Sequence, residues 1–195
     1  MSEKSLKVLF VGNSYTFYYY MPETLFVEAA AAQGYKVEVT EVTCGGAFLS
    51  QFADPEHSEG KSLREAISGK HFDCAVLQDE SRDPIENEEN FLKGAKGVID
   101  LVDADKFVLY ATWGRNDNSP ELVDLGLTRE EMTEKLSLAY NKAGKLYGAE
   151  VAEVGKAFLE YSKNHDVNDL YDEDMSHPSS LGSEIAAKVI FEKVK

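Results

Sequence analysis

Cysteine is almost absent from this chain of 195 residues. Cys44 and Cys74 are the only two, they lie far apart, and neither belongs to a C-x-x-C pattern. A disulfide framework and a thiolate zinc site are therefore excluded as organising elements, and both thiols are expected to be reduced and packed. Proline is nearly as scarce, with 5 residues, while apolar residues make up 43%; that balance fits a packed globular protein and excludes a disordered or proline-rich one. Positive charge is in deficit. Twenty basic residues face 35 acidic ones, a net charge of −15, and such a field repels phosphate backbones and anionic bilayers, so neither nucleic acid nor membrane is an expected partner. No apolar run reaches the roughly 18 residues of a membrane span. The first one, Lys7–Val11, is too short for a secretory core and no small-residue cleavage site follows it, so a cytoplasmic location is expected. The length suits one domain over residues 1–195, with no repeat or low-complexity linker to divide it.

What the chain does contain is alternation. Short apolar runs bounded by turn residues recur at Lys7–Val11, Lys36–Val42, Cys74–Gln78, Phe107–Ala111 and Glu150–Val154, and their β-branched and aromatic content reads as five buried strands. Helical patterns lie between and after them, at Pro22–Gln33, around Ser62–Ser68, at Glu86–Leu101, Thr128–Tyr147 and Ser180–Val194, several closed by a glycine. Thr128-Arg129-Glu130-Glu131 is a capping box that fixes one helix start. Strand and helix in alternation imply right-handed crossovers and a parallel sheet covered on both faces.

In such a sheet ligands bind beyond the carboxyl ends of the strands. Ser14, the Cys44-Gly45-Gly46-Ala47 loop, Gln78 and the segment Trp113–Asp117 all follow strands and converge on that edge. Near the C-terminus Asp174-Met175-Ser176-His177-Pro178 precedes the last helix, and the spacing of three lets one turn set the Asp174 carboxylate against the His177 ring, leaving the other ring nitrogen for a hydroxyl. A serine hydroxyl is a weak nucleophile until an oriented base takes its proton. Ser14, His177 and Asp174 supply that set, with Gly46 offering a backbone donor to a tetrahedral oxyanion. Tyr15, Phe17, Tyr18 and Trp113 are candidates for a wall against the substrate, since such rings combine flat apolar faces with polar tips.

Gly12-Asn13-Ser14 after the first strand, a glycine after the second, and Asp174-x-x-His177-Pro178 before the last helix together resemble the SGNH hydrolase superfamily, the GDSL-like esterases and acetylesterases, across nearly the whole chain. The resemblance implies a three-layer α/β/α sandwich around a five-stranded parallel sheet of flavodoxin-like order. It also implies Ser14 as nucleophile and, through its N–H, first oxyanion donor, Gly46 as second donor, His177 as base and Asp174 as its orienting acid. The implied activity is hydrolysis of small acyl esters, acetyl above all, on carbohydrate, with no cofactor. Two positions depart from the pattern. Asn13 stands where the family usually has Asp, which bears on loop hydrogen bonding. The usual Gly-x-Asn-Asp after the third strand is replaced by Leu77-Gln78-Asp79-Glu80-Ser81. Gln78, at the expected strand end, is the first choice for the missing donor; Asn116, in Gly114-Arg115-Asn116-Asp117 after the fourth strand, is the second.

Other readings of these residues stay open at this level. Gly-Asn-Ser can be a helix-capping turn, and Asp-x-x-His-Pro can be turn chemistry before a helix. Asp172-Glu173-Asp174 with His177 has the chemistry of a divalent metal site. A flavodoxin-like protein would use the Gly12–Thr16 turn as a phosphate cradle, and a catalytically inactive carbohydrate- or ligand-binding protein on the same fold would account for the altered third block.

Overall fold

The five apolar runs pair as one parallel sheet in a computed structural model of the chain, which describes residues 4–195. The strands are β1 (Lys4–Gly12), β2 (Tyr35–Thr43), β3 (Cys74–Leu77), β4 (Phe107–Ala111) and β5 (Glu150–Glu153), in the order β2-β1-β3-β4-β5. Helices α1 (Ser14–Phe17), α2 (Phe26–Ala31), α3 (Leu49–Ala53), α4 (Ser58–Ile67), α5 (Asp83–Glu86), α6 (Glu88–Leu101), α7 (Pro120–Leu125), α8 (Arg129–Tyr147), α9 (Val154–Ser162) and α10 (Ser180–Val194) connect and flank them.

Period-2 alternation along the strands builds two cores. Leu9 and Val11 of β1, with Ala75, Leu77 and Leu109, meet α3, α4, α6 and α8 on one face; Val8 and Phe10, with Cys74, Val76 and Tyr110, meet α2, α9 and α10 on the other. The α/β/α sandwich thus follows from central strands that are apolar on both sides, such as β3, buried at all four positions, whereas edge strand β2 is half-buried along most of its length, exposed at Lys36 and Glu38 and buried only at Val42. Among the described residues no helix is long and apolar enough to cross a membrane.

Strand positions read from the sequence lie within a few residues of those observed, and α10 has the expected bounds. The helices differ more. The expected helix Pro22–Gln33 is a π-type turn, Met21–Leu25, running into the shorter α2. The expected Glu86–Leu101 splits at Asn87 into α5 and α6. Val154, read as the end of the last strand, instead opens α9, where Val154 and Phe158 bury one face without any side-chain cap to announce the start. The long segments after β2 and β4 carry α3 and α7, both too short to show a clear period in sequence. Thr128 forms the expected capping box, its hydroxyl accepting from the Glu131 N–H at 3.1 Å while Glu131 accepts the Thr128 N–H at 2.8 Å.

Because β1 is followed by β2 on one side and neighbours β3 on the other, the connections leaving β1 and β3 diverge, and the resulting crevice lies over their carboxyl ends. Ser14 begins α1 two residues beyond β1.

Candidate active site

β1 reaches the crevice at Gly12, where a side chain has no room: a Cβ there would stand 2.5 Å from the Thr16 hydroxyl and 2.7 Å from Gln78 Oε1. The next residue, Asn13, caps the turn that carries Ser14. Its Oδ1 accepts the Tyr15 N–H at 3.1 Å, and its Nδ2 donates to the Ala47 carbonyl, also at 3.1 Å. The amide thereby joins the nucleophile turn to the loop after β2, a donation that the carboxylate of an aspartate cannot make. In that loop Gly46 has φ +69°, a left-handed conformation that disfavours any side chain. The Ser14 and Gly46 N–H groups have no hydrogen-bond partner among the described residues, and both residues line one cavity.

The end of β3 holds this arrangement from below. Gln78 Oε1 accepts the Asn13 N–H at 2.9 Å and the Thr16 hydroxyl at 2.8 Å, and its Nε2 donates to the Asp79 carbonyl. With its amide consumed and its side chain buried outside the cavity lining, Gln78 braces the nucleophile turn and is not placed to donate to an oxyanion. The expectation for it is corrected accordingly. Asp79 does the same for the Gly46 loop, its Oδ1 accepting the N–H groups of Leu49 at 2.7 Å and Glu80 at 2.8 Å. Burial, and then the neighbouring Asp83 charge, push the Asp79 carboxyl up to about 8, so it is held as the neutral acid.

Asp174 and His177 sit on the loop before α10. Tyr171 and Pro178 pair as an antiparallel bridge, and the Asp172 N–H donates to the His177 carbonyl at 2.9 Å, closing the loop. Within it the Asp174 Oδ1 accepts the N–H groups of Ser176 and His177, both at 2.9 Å, across Met175, whose φ of 62° is left-handed. Asp174 Oδ2 meets His177 Nδ1, and His177 Nε2 lies 2.7 Å from Ser14 Oγ. That geometry is the one a nucleophile, base and orienting acid require. Burial raises the Asp174 carboxyl, but the hydrogen bonds from the His177 ring and from the Ser176 and His177 N–H groups outweigh it and leave the group below the usual carboxylate range.

Four consecutive residues after β4 grip this loop. Trp113 Nε1 donates to the Ser176 carbonyl at 3.1 Å, the Gly114 carbonyl accepts the Tyr171 hydroxyl at 2.6 Å, the Arg115 guanidinium donates to the Ser176 hydroxyl, and the Asn116 N–H donates to the Met175 carbonyl at 3.0 Å. Asn116 spends its side chain on Asn168 and on the Asn118 N–H, so the second choice for an oxyanion donor is also corrected. Trp113 is fully buried, stacked between Tyr15 and Phe158 at ring separations of 4.8 and 4.4 Å. It is core, and the expectation that it lines the substrate wall is not met.

The cavity over Ser14 measures about 330 Å³ and is lined by Asn13, Ser14, Tyr15, Gly46, Arg115 and His177 with several polar neighbours. Tyr15 is among the residues that line the cavity; its hydroxyl lies 2.6 Å from that of Ser176, and burial raises it above the ordinary phenol value. Tyr18 stacks on the His177 ring at 4.1 Å and half-buried Phe17 packs against Tyr18; both rings lie outside the cavity lining, so the expectation that they wall the substrate is not met. Arg115 is the residue that sequence reasoning underrated: its buried guanidinium binds the hydroxyls of Ser176 and Ser81 and pairs with Glu121 at 2.7 Å. Its only sequence signal was position, at a strand end beside a tryptophan. No cluster of three or more His, Cys, Asp or Glu among the described residues could hold a metal ion.

The fold and the site can be compared with known proteins. No family model matches the sequence, and no curated protein matches it. Solved structures do. A protein from Slackia heliotrinireducens described as a candidate SGNH hydrolase is 27% identical, covering 98% of this chain and 100% of its own, at a TM-score of 0.84. A lipase/acylhydrolase from Enterococcus faecalis is 16% identical with coverage of 97% and 95% and a TM-score of 0.75. An acetylxylan esterase from Geobacillus stearothermophilus is 15% identical with coverage of 100% and 96% and a TM-score of 0.66. At such identities the last two attest the fold alone.

Proposed function

Taking as premise that the chain has the fold of the SGNH hydrolases and resembles that superfamily along its length, we propose that it is a serine esterase that removes small acyl groups, acetyl foremost, from a carbohydrate ester. The observation that carries this reading is the 2.7 Å contact between His177 Nε2 and Ser14 Oγ, with Asp174 on the opposite ring nitrogen.

In the proposed reaction Ser14 Oγ attacks the ester carbonyl as His177 Nε2 takes its proton. The carbonyl oxygen, now an oxyanion, accepts from the Ser14 and Gly46 N–H groups. Asp174, kept ionised by its hydrogen bonds, holds the ring and stabilises the imidazolium. As the tetrahedral intermediate collapses, the C–O bond to the alcohol breaks and His177 returns the proton to the leaving oxygen. Water then repeats the sequence on the acyl-enzyme, releasing the carboxylic acid and restoring Ser14. The small polar cavity favours a short acyl group, and an acetylxylan esterase among the proteins of this fold is in keeping with an acetyl substrate.

The test is hydrolysis of p-nitrophenyl acetate and longer esters by the wild type beside Ser14→Ala and His177→Ala. Loss of about 10⁴-fold or more in kcat in each variant is expected, the scale of removing one member of such a unit. A second reading, a ligand-binding protein without turnover, draws on the commitment of both Gln78 and Asn116 to other partners, which leaves the oxyanion with backbone donors. Wild-type protein that binds acetylated sugars without hydrolysing any ester would decide for it.

A further inference from the structure

Hydrogen bonds hold the His177 ring at two points, with Asp174 Oδ2 against Nδ1 and Ser14 Oγ 2.7 Å from Nε2. Both contacts lie at the edge of the ring. The χ2 torsion of a histidine is broad and hydrogen bonds tolerate a range of angles, so these two alone leave the plane of the imidazole free to tilt. Contacts on its faces must set that plane. Tyr18 supplies one, its ring lying nearly parallel to the imidazole with centroids 4.1 Å apart and planes 12° apart. Tyr15 meets the imidazole at a steep angle of 69° and 5.2 Å, and is itself stacked on buried Trp113. Parallel and edge-to-face arrangements are the two that aromatic rings favour.

Tyr18 reaches this position through the serine's own turn. It ends α1, the helix that Ser14 opens, and its N–H donates to the Ser14 carbonyl. One turn of chain therefore carries the nucleophile at its start and, at its end, the ring that lies on the histidine. The chain then leaves through Tyr19 and Tyr20, whose φ of 53° and 55° make two consecutive left-handed residues that both bear a Cβ. That conformation is costly outside glycine, and such strain persists where the surrounding structure holds it, commonly at functional sites. Tyr20 is 74% exposed and gains little from it. The reversal turns Tyr19 back to the histidine loop, its ring 6.3 Å from that of Tyr18 and its hydroxyl 3.4 Å from Asp172 Oδ2, while the Asp172 N–H donates to the His177 carbonyl. Phe17 backs Tyr18 at 6.1 Å. The Tyr18 hydroxyl has no hydrogen bond among the described residues, and its ring stands outside the cavity lining, so what it offers the site is the face laid on His177.

We propose that Tyr18 is a positioning residue for the base: its ring fixes the plane of His177 so that Nε2 stays aimed at Ser14 Oγ. This role deepens the esterase reading and rests on it for the kinetic part of the test, while the magnetic resonance part reads the ring without any turnover. The full-length Tyr18→Leu and Tyr18→Phe variants are compared with the wild type, with thermal melts to verify folding and Tyr18→Met in place of the leucine variant should that one not melt cooperatively. On p-nitrophenyl acetate the leucine variant is expected to lose about 10²-fold in kcat and equally in kcat/KM, the scale of a misaimed catalytic group. Phenylalanine, which keeps the ring, is expected to retain the wild-type rates. The proton between His177 Nδ1 and Asp174, followed as a downfield resonance, is expected in the wild type and the phenylalanine variant and to be lost to exchange with water in the leucine variant. A role in packing alone would lower the melting temperature and leave that resonance in place. A raised KM with kcat retained would make Tyr18 a substrate contact and overturn the proposal, as would a phenylalanine variant as impaired as the leucine one, or a resonance present in all three proteins. If the wild type hydrolyses no ester, the esterase reading fails and the resonance alone decides: kept with phenylalanine and lost with leucine, the positioning role stands.

Discussion

Ser14 and His177 stand 2.7 Å apart yet rest on different kinds of support. Ser14 is two residues from the end of a central strand, and what fixes it is close by: the Asn13 cap, the Gln78 amide at the end of the neighbouring strand, and the sheet register that sets Val11 beside Leu77. His177 follows a helix and a loop, far from any strand of its own, and is held by side chains and backbone sent across from the end of β4. One half of the site is an extension of the sheet. The other is a loop made rigid by contact with it.

The difference can be tested by substitution, beginning with the change of greatest effect. Asp174→Asn keeps the shape of the loop but removes the ionised partner of the ring, and kcat on p-nitrophenyl acetate is expected to drop by roughly 10⁴-fold, as for an orienting acid in a triad. Arg115→Met leaves the hydroxyls of Ser176 and Ser81 and the Glu121 carboxylate without their partner; urea unfolding should show a loss of about 3 kcal/mol, less whatever the half-exposed Glu121 recovers from water, and kcat should fall with it because the His177 loop loosens. Asn13→Asp removes the donor to the Ala47 carbonyl and sets a charge beside it, at a cost of about 1–2 kcal/mol and a fall in kcat/KM that arises on the serine side. If Asn13→Asp proves more damaging to stability than Arg115→Met, the contrast between a sheet-borne and a loop-borne half is wrong.

A further effect grows with pH. Because the Asp79 carboxyl is raised in the folded state, the folded protein holds a proton that the unfolded chain releases above the ordinary carboxylate pKa of about 4. This group's contribution to stability is fully present below that pH and is lost progressively as pH rises to about 8, the folded value. Asp79→Asn keeps the neutral hydrogen-bonding shape and abolishes the titration. Thermal melts should find the variant gaining on the wild type between pH 5 and pH 8, and a parallel pH dependence in the two proteins would remove the neutral-acid assignment.

How much of this was legible in the sequence follows the same division. The strands and the nucleophile turn could be read because burial on both faces imposes continuous apolar runs, and the serine directly follows one of them. Asp174 and His177 were legible through their spacing alone, since a single turn sets their contact. The roles of Gln78 and Trp113 were not. Both lie at strand ends, where sequence position points to the crevice, but which way a side chain turns there depends on partners remote in the chain: Asn13 and Thr16 for Gln78, Tyr15, Phe158 and Ser176 for Trp113. The Gly114-Arg115-Asn116-Asp117 segment was conspicuous, and its use is to cradle the histidine loop.

Trp113 has one further consequence. It is the only tryptophan in the chain, and its indole N–H is bonded to the carbonyl of the residue immediately before His177. The protein therefore carries an optical reporter on the loop that holds Asp174 and His177. Intrinsic emission should respond when a ligand displaces that loop, allowing occupancy to be followed in a variant with no turnover at all.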